Sequence, residues 1–227
     1  MSTIKTTIKS KREVANGTIE ITFARPRGFE FVAGQYIQVA LECLSYPDSK
    51  GLSRTFSICS SPLNKGVIAI AFRNTGSGYK KTLSELSEGS EVLLEGPFGH
   101  FSMPDFKDVK HVFIAGGIGI TPFLSMIKTA LKNGLDSPIT LLYANRDKES
   151  SAYLEDLKKL SLTSNIFSLD SVFGRIEANH VQKHKRDIDN TLWWIVGPPG
   201  MVAEVKYLLA SVNIPDDKIR IEEFIGY

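Results

Sequence analysis

The sequence predicts a two-part β plus α/β protein, and three observations predict it. The chain changes character near residue 105. Before that point, short β-branched or alternating segments sit between turn residues, the pattern of an antiparallel barrel or sandwich. After it, apolar strands alternate with helices, which requires a parallel sheet covered on both faces. The two domains are expected at residues 1–104 and 105–227, linked through Ser102–Lys107, where Pro104 and several polar residues stand.

In the first half, strands are expected at Thr18–Phe23, Gln35–Leu41, Thr55–Cys59, Val67–Phe72 and Glu91–Glu95, punctuated by Asn16-Gly17, Gly34, Pro62, Asn64, Gly66 and Gly89. One helix interrupts them around Gly78–Leu86, with Leu83 and Leu86 on one face. In the second half, Val109–Ile114 reads as a buried strand and Thr121–Leu131 as a helix ending near Asn133-Gly134. Ile139–Tyr143 is the next strand. Ala152–Leu160 is helical, with Tyr153, Leu157 and Leu160 on one side. Thr191–Val196, carrying Trp193 and Trp194, is a buried strand, Met201–Leu209 a helix and Lys218–Ile221 a short final strand.

Bulk properties set limits. A net charge of +2 on 227 residues gives no sign of the lopsided basic face that nucleic-acid binding needs. The cysteines are Cys43 and Cys59, with no CxxC pair, so ligand count excludes an iron–sulfur cluster or a four-cysteine zinc site on this chain. The opening MSTIKTTIKSKREV lacks an apolar signal core, and no apolar run approaches bilayer length. The expectation is a cytoplasmic protein with reduced thiols.

Two glycine-bearing turns follow predicted strands. Gly116-Gly117-Ile118-Gly119 leads into a helix, where phosphate oxygens can approach backbone that lacks a Cβ. Thr121 is suited to cap that helix and Pro122 to occupy its first position. Gly197-Pro198-Pro199-Gly200-Met201 lies at the carboxyl end of another buried strand, the expected side for a ligand in such a sheet. Each turn taken alone also reads as a rigid connection with no ligand, with Met201 as a core residue.

Taken together and in order, RTFSICSSP, GSGYKKTL, GPFG, AGGIGITP, LLYANR, VGPPGM and a final EEFIGY resemble the ferredoxin–NADP(+) reductase superfamily over nearly the whole chain. The resemblance implies a six-stranded antiparallel flavin-binding β-barrel, then a Rossmann-like nicotinamide domain, with the active site between them. By that resemblance Arg54 pairs with flavin phosphate, Thr55 and Phe56 border the flavin, and Ser57 lies beside its N5. Phe56 stands where most members carry tyrosine; reductases that use flavin as a substrate also show phenylalanine there. The run Gly76-Ser77-Gly78-Tyr79-Lys80-Lys81-Thr82 resembles a second flavin-phosphate loop, with Gly76, Ser77, Gly78, Tyr79, Lys81 and Thr82 as its expected contacts. Gly96-Pro97-Phe98-Gly99 is given a structural role. Gly117, Gly119, Thr121, Asn145, Gly197, Pro198 and Met201 correspond to the NAD(P) site, and Arg146 favours a 2′-phosphate, leaning towards NADPH over NADH. Phe224 is placed on the flavin ring with Glu222 as the nearby carboxylate and Tyr227 beyond; the reverse, Tyr227 on the ring, stays open. Val196 stands where the family often has cysteine. Ser57, Glu222 and Phe224 are the expected catalytic residues.

Other features carry less. His180 and His184, one helical turn apart, are too few for a metal site. The run Lys183-His184-Lys185-Arg186 reads as solvated, Trp193-Trp194 as core and Cys59 as a small buried residue. The resemblance implies FAD and NADPH or NADH as cofactors, no metal, and a small electron-carrier protein, ferredoxin or flavodoxin, as partner. The alternatives are an NAD(P)H:flavin oxidoreductase that releases reduced flavin, or an electron-transfer subunit of a larger complex.

Overall fold

The computed structural model describes residues 3–104 and 109–224, with only the backbone of Arg186. The first half contains β1 (Ile4–Ala15), β2 (Thr18–Ala24), β3 (Tyr36–Ala40), β4 (Ser53–Ser57), β5 (Val67–Arg73), the helix α1 (Gly78–Glu85) and β6 (Glu91–Phe98). These strands are antiparallel in the order β4-β3-β6-β1-β2-β5. The outer strands then meet. Ile58 bridges Ile70, and the Cys59 N–H donates to the Ala69 carbonyl at 2.8 Å. Closure of this kind leaves no long free edge. The barrel interior is filled by Ile8, Ile21, Phe23, Ile37, Val39 and their neighbours.

β1 is absent from the sequence-based expectation. Its residues are mostly Lys, Thr, Ser, Arg and Glu, and little beyond Thr6 and Ile8 is buried. It is a strand because both its edges are paired, to β2 and to β6, with a register shift between Ile8 and Ser10. The turn from β1 to β2 is the predicted Asn16-Gly17, with Gly17 at φ 65°.

The second half contains β7 (Lys110–Gly116), α2 (Ile120–Asn133), β8 (Ile139–Asn145), α3 (Leu154–Thr163), β9 (Phe167–Phe173), α4 (Ala178–Gln182), β10 (Thr191–Gly197), α5 (Pro199–Ser211) and β11 (Ile219–Glu223). All five strands are parallel, in the order β11-β10-β7-β8-β9. The order reverses between β7 and β10, which opens a crevice at their carboxyl ends. Both predicted glycine turns end there. α2 stops at Gly134, whose left-handed φ of 62° closes the helix. β9 and α4 escape the sequence pattern. β9 is an edge strand carrying Ser168, Asp170 and Ser171, and α4 is too short to show a period. His180 serves that short helix as a capping partner, its Nδ1 accepting from Glu177 N–H at 3.0 Å, while His184 lies beyond the helix near Asp170. No cluster of three or more potential metal ligands occurs among the described residues.

Among the described residues an apolar cluster crosses between the halves, joining Cys59, Ala69 and Ala71 of the barrel to Phe113, Phe123 and Tyr153. A buried polar group reinforces it. Glu20 accepts from Tyr153 Oη at 2.8 Å and Arg12 Nε at 2.6 Å. Burial acts against the charge of Glu20, but these donors win and hold its carboxyl below the usual range. The Cys59 thiol, 3.5 Å from Tyr153 Oη, is pushed up to about 12 by burial and by Glu20, so it stays protonated. Backbone bonds from Asn16 N to Glu149 O (2.9 Å) and from Tyr153 N to Val14 O (3.1 Å) complete the joint. The two halves therefore present one shared cleft. No helix among the described residues is long and apolar enough to cross a membrane.

Candidate functional site

The cleft has a front and a rear part. The front, about 630 Å³, lies between β4, the N-terminal end of α1, the loop before β4 and the chain after β11. The rear, about 540 Å³, lies over the carboxyl ends of β7, β8 and β10. Thr75 and Phe224 border both, so the two parts are continuous.

Arg54, Thr55, Phe56 and Ser57 all border the front cavity. Ser57 ends β4 opposite Tyr36 and is 7% exposed. Phe56 borders the cavity from a nearly buried position. It is 3% exposed and sits in the barrel core against Phe72 and Tyr79, at centroid distances of 5.6 and 6.2 Å. Strand alternation puts it on the face shared with Arg54, whose guanidinium lies 4.9 Å from the Tyr79 ring.

The expected second phosphate loop needs a larger correction. Gly76, Ser77 and Gly78 border the cavity, and the Ser77 side chain caps α1 by accepting from Lys80 N–H. Three neighbours turn away. Tyr79 is fully buried, its hydroxyl donating to Val39 O at 2.7 Å. Thr82 donates back to Gly78 O at 2.8 Å and accepts from Ser45 N–H. Lys81 lies over the Tyr46 ring at 3.7 Å. Lys80, part of the same run, does reach the cleft, with Asp48 and Lys50, which the sequence reading did not name, beside it. Lys80 is 6% exposed and pushed down to about 8, by burial first and then by Arg54, Lys50 and Arg73. Positive charge concentrated on one point is the electrostatic signature of an anion subsite.

At the rear, Gly117 has φ 54°, and the space where its Cβ would stand holds nothing nearer than Arg73 Nη2 at 3.7 Å. Bare backbone faces the cleft there. Gly116, Gly119 and Gly197 are small for another reason. Met201 Sδ fills the space beside Gly116 and lies 2.9 Å from the Cβ position of Gly197. A Cβ on Gly119 would sit 2.5 Å from the Val196 carbonyl oxygen, so α2 packs onto β10 only with glycine there. Thr121 is 1% exposed and donates to Ile118 O at 3.0 Å. It is no cap, because a short 3₁₀ turn over Gly117–Gly119 precedes α2 and places Gly119 at the N-cap and Pro122 third in the helix. The Tyr143 hydroxyl, between Gly117 O (3.0 Å) and Ala152 O (3.1 Å), holds the turn in place.

Asn145, Arg146, Pro198 and Met201 border the rear cavity, and Arg73 and Arg175 join them. Asn145 is 7% exposed and its Oδ1 has no partner among the described residues. β11 delivers Glu222 and Phe224 to the junction, where Phe224 N–H donates to Gly197 O at 3.0 Å. Among the described residues Glu222 Oε2 is buried without a partner, and burial pushes its carboxyl up to about 7. Tyr227 lies outside the described residues.

These features fit a flavin in front and a dinucleotide behind: a cationic subsite at a helix start, exposed glycine backbone at a switch point, and orphaned buried oxygens on Asn145 and Glu222.

Comparison with known proteins gives the same pairing. Residues 5–103 match the family described as "Oxidoreductase FAD-binding domain" and residues 113–207 "Oxidoreductase NAD-binding domain". The chain is 30% identical to one subunit of the 1,2-phenylacetyl-CoA epoxidase of Escherichia coli, over 96% of this chain and 67% of that protein. It is 28% identical to the ferredoxin reductase component of 3-ketosteroid-9-alpha-monooxygenase from Mycobacterium tuberculosis, over 88% of this chain and 56% of that one. It thus spans roughly half to two thirds of these relatives. The fold superimposes on ferredoxin–NADP+ reductase from Plasmodium falciparum with a TM-score of 0.79 at 20% identity, covering 98% of this chain and 96% of that structure. With a closed antiparallel barrel, a parallel sheet, a cleft between them and both domain matches in that order, the chain belongs to the FAD- and NAD-binding oxidoreductases of the ferredoxin–NADP(+) reductase superfamily.

Proposed function

We propose that this chain is an FAD-dependent reductase that takes reducing equivalents from NAD(P)H and passes them to a separate acceptor protein. The observation that carries this reading is the continuity of the cleft, whose front and rear share Thr75 and Phe224. The relatives are themselves a reductase component and one subunit of a larger enzyme, which supports a separate acceptor. In this reading the acceptor is a small carrier of the ferredoxin or flavodoxin type.

When bound, the flavin supplies the redox chemistry, accepting an electron pair and releasing electrons singly. The protein supplies the rest. Arg54, Lys80 and the first turn of α1 hold the phosphates. Thr55 and Ser57 flank the ring position. Gly117, Asn145 and Pro198 receive the dinucleotide, with Arg146 for a 2′-phosphate and NADPH preferred. Phe224 stands between the two parts, so a nicotinamide reaching forward has to move its ring. Glu222, with a carboxyl pushed up to about 7, can exchange a proton at neutral pH.

The test is a spectrum followed by turnover. The expected protein carries bound FAD after purification or reconstitution and reduces an artificial one-electron acceptor with NADPH. Turnover that appears only in proportion to free flavin supports the flavin-substrate reading. Bound FAD that NAD(P)H does not reduce supports a subunit inactive alone. Failure to bind any flavin refutes the proposal.

A further inference from the structure

The segment between β3 and β4 is fastened along α1. Ser45 N–H donates to Thr82 Oγ1 at 3.1 Å, the Tyr46 ring lies under Lys81, and the Tyr46 hydroxyl donates to the Glu85 carboxylate at 2.9 Å. The carbonyls of Tyr46 and Pro47 pass so close over Gly78 that any Cβ there would collide with them. Gly78 therefore admits the protein's own chain rather than a phosphate.

This path delivers Asp48 to the start of α1. Its Oδ2 accepts from Tyr79 N–H at 2.9 Å, and its Oδ1 accepts from Arg54 Nη2 at 2.5 Å and from Lys50 N–H at 2.9 Å. The Asp48 side chain is 6% exposed. Arg54 Nη1 meanwhile donates to the carbonyls of Lys50, Gly51 and Ser53. A guanidinium fork and a first-turn N–H are the donors an oxyanion of a phosphate would use. Here one carboxylate holds both.

We propose that Asp48 is a built-in competitor for the phosphate groups of the flavin, filling their position in the free protein and setting how tightly a phosphorylated flavin is held. This rests on the flavin reading above. Two anions cannot share Arg54 and the Tyr79 N–H without strong repulsion. Either Asp48 swings away and gives up both bonds, or the phosphate is held by Lys80 and the Gly76–Ser77 backbone beside an uncompensated neighbour. Both routes weaken binding through the phosphates alone and leave the ring's contacts untouched. The consequence is that FAD and FMN are held less tightly than Arg54, Lys80 and the start of α1 would otherwise hold them, while riboflavin is unaffected.

The test is Asp48→Asn, which keeps an acceptor for Tyr79 N–H and drops the charge. Affinities for FAD, FMN and riboflavin are measured by fluorescence quenching on flavin-free protein, alongside thermal shifts with inorganic pyrophosphate. FAD and FMN are expected to bind about tenfold tighter or more to the variant, with riboflavin changing less than about threefold. Pyrophosphate should raise the melting midpoint of the variant more than that of the wild type. Unchanged or weaker FAD binding, with riboflavin unaffected, would overturn the proposal and make Asp48 an orienting partner of Arg54. If Asp48→Asn does not fold, Asp48→Ser is measured in the same way; two unfolded variants would assign Asp48 a purely structural role. If folded wild type and variant bind none of the three flavins, the flavin reading itself falls, and the proposal with it.

Discussion

Replacing Glu222 by glutamine should make the protein more stable at pH 8 and nearly indifferent at pH 4.5. The carboxyl of Glu222 ionises near 4.5 in the unfolded chain and at about 7 in the folded one, because burial at the cleft junction disfavours its charge. Between those values the folded state binds more protons than the unfolded state. Stability from this group is therefore lost as pH rises, and the loss is complete above about 7. The gap corresponds to about 3 kcal/mol at most. For a chain of this size that is roughly 6–12 °C in melting midpoint. Glutamine has the shape of the protonated acid and no charge to bury. Thermal melts of ligand-free wild type and Glu222→Gln from pH 4.5 to 8.5 measure the difference directly. It should grow from near zero to a plateau in the variant's favour. A difference that stays constant with pH, or that favours wild type at pH 8, would show that Glu222 ionises in the fold at little cost and would remove it as a neutral-pH proton exchanger.

Other perturbations test the remaining parts of the cleft. Arg146→Gln should lower kcat/KM for NADPH about tenfold while leaving that for NADH within about twofold, since a guanidinium–phosphate pair is charge-assisted; equal losses for both coenzymes would remove Arg146 from the 2′-phosphate. Tyr153→Phe deletes the 2.8 Å bond to the buried Glu20, and a loss of about 1–3 kcal/mol is expected in denaturant melts at pH 7. The carboxyl of Glu20 lies below its usual range in the fold, so wild type should lose this advantage as pH falls through the acid range; a loss that persists unchanged there would argue against the ion network.

What the sequence made legible follows from how locally each feature is encoded. The parallel sheet was readable because β7, β8 and β10 are buried on both faces and their apolar runs need no partner to be recognised. β1 was not, because what makes it a strand is pairing on both edges, which lies in the residues of β2 and β6. In the site, Arg54, Ser57, Asn145, Arg146, Glu222 and Phe224 were found by motif, and all border the cleft. Asp48 and Lys50 belong to no motif and matter only because the loop before β4 is fastened to α1. Lys80 was within the motif but was passed over for Lys81. Helical geometry separates these neighbours, sending one into the cleft and the other over Tyr46. Arg73 and Arg175 reach the rear from the ends of β5 and β9, a convergence that only the fold creates.

The glycines show how one motif serves two ends, and they can be separated experimentally. Gly119 and Gly200 each stand at the start of a helix beside the switch point. At Gly119 the obstacle to a side chain is the Val196 carbonyl oxygen, 2.5 Å from the Cβ position, and β10 cannot yield because it is paired on both sides. Gly119→Ala should therefore cost about 1–3 kcal/mol through overpacking, with dinucleotide binding falling only as the fold does. At Gly200 nothing lies within 4 Å of the Cβ position, and its φ is not positive. Alanine there should leave stability unchanged or raise it by about 0.4–1 kcal/mol, by restricting the unfolded chain. Because Gly200 does not border the rear cavity, nucleotide affinity should stay within about twofold of wild type. Titration of both variants with NADPH, beside their melting curves, decides the matter. Should Gly200→Ala fold normally yet bind the dinucleotide about tenfold more weakly, the ligand would have to extend over the start of α5, and the rear cavity would be only part of its site.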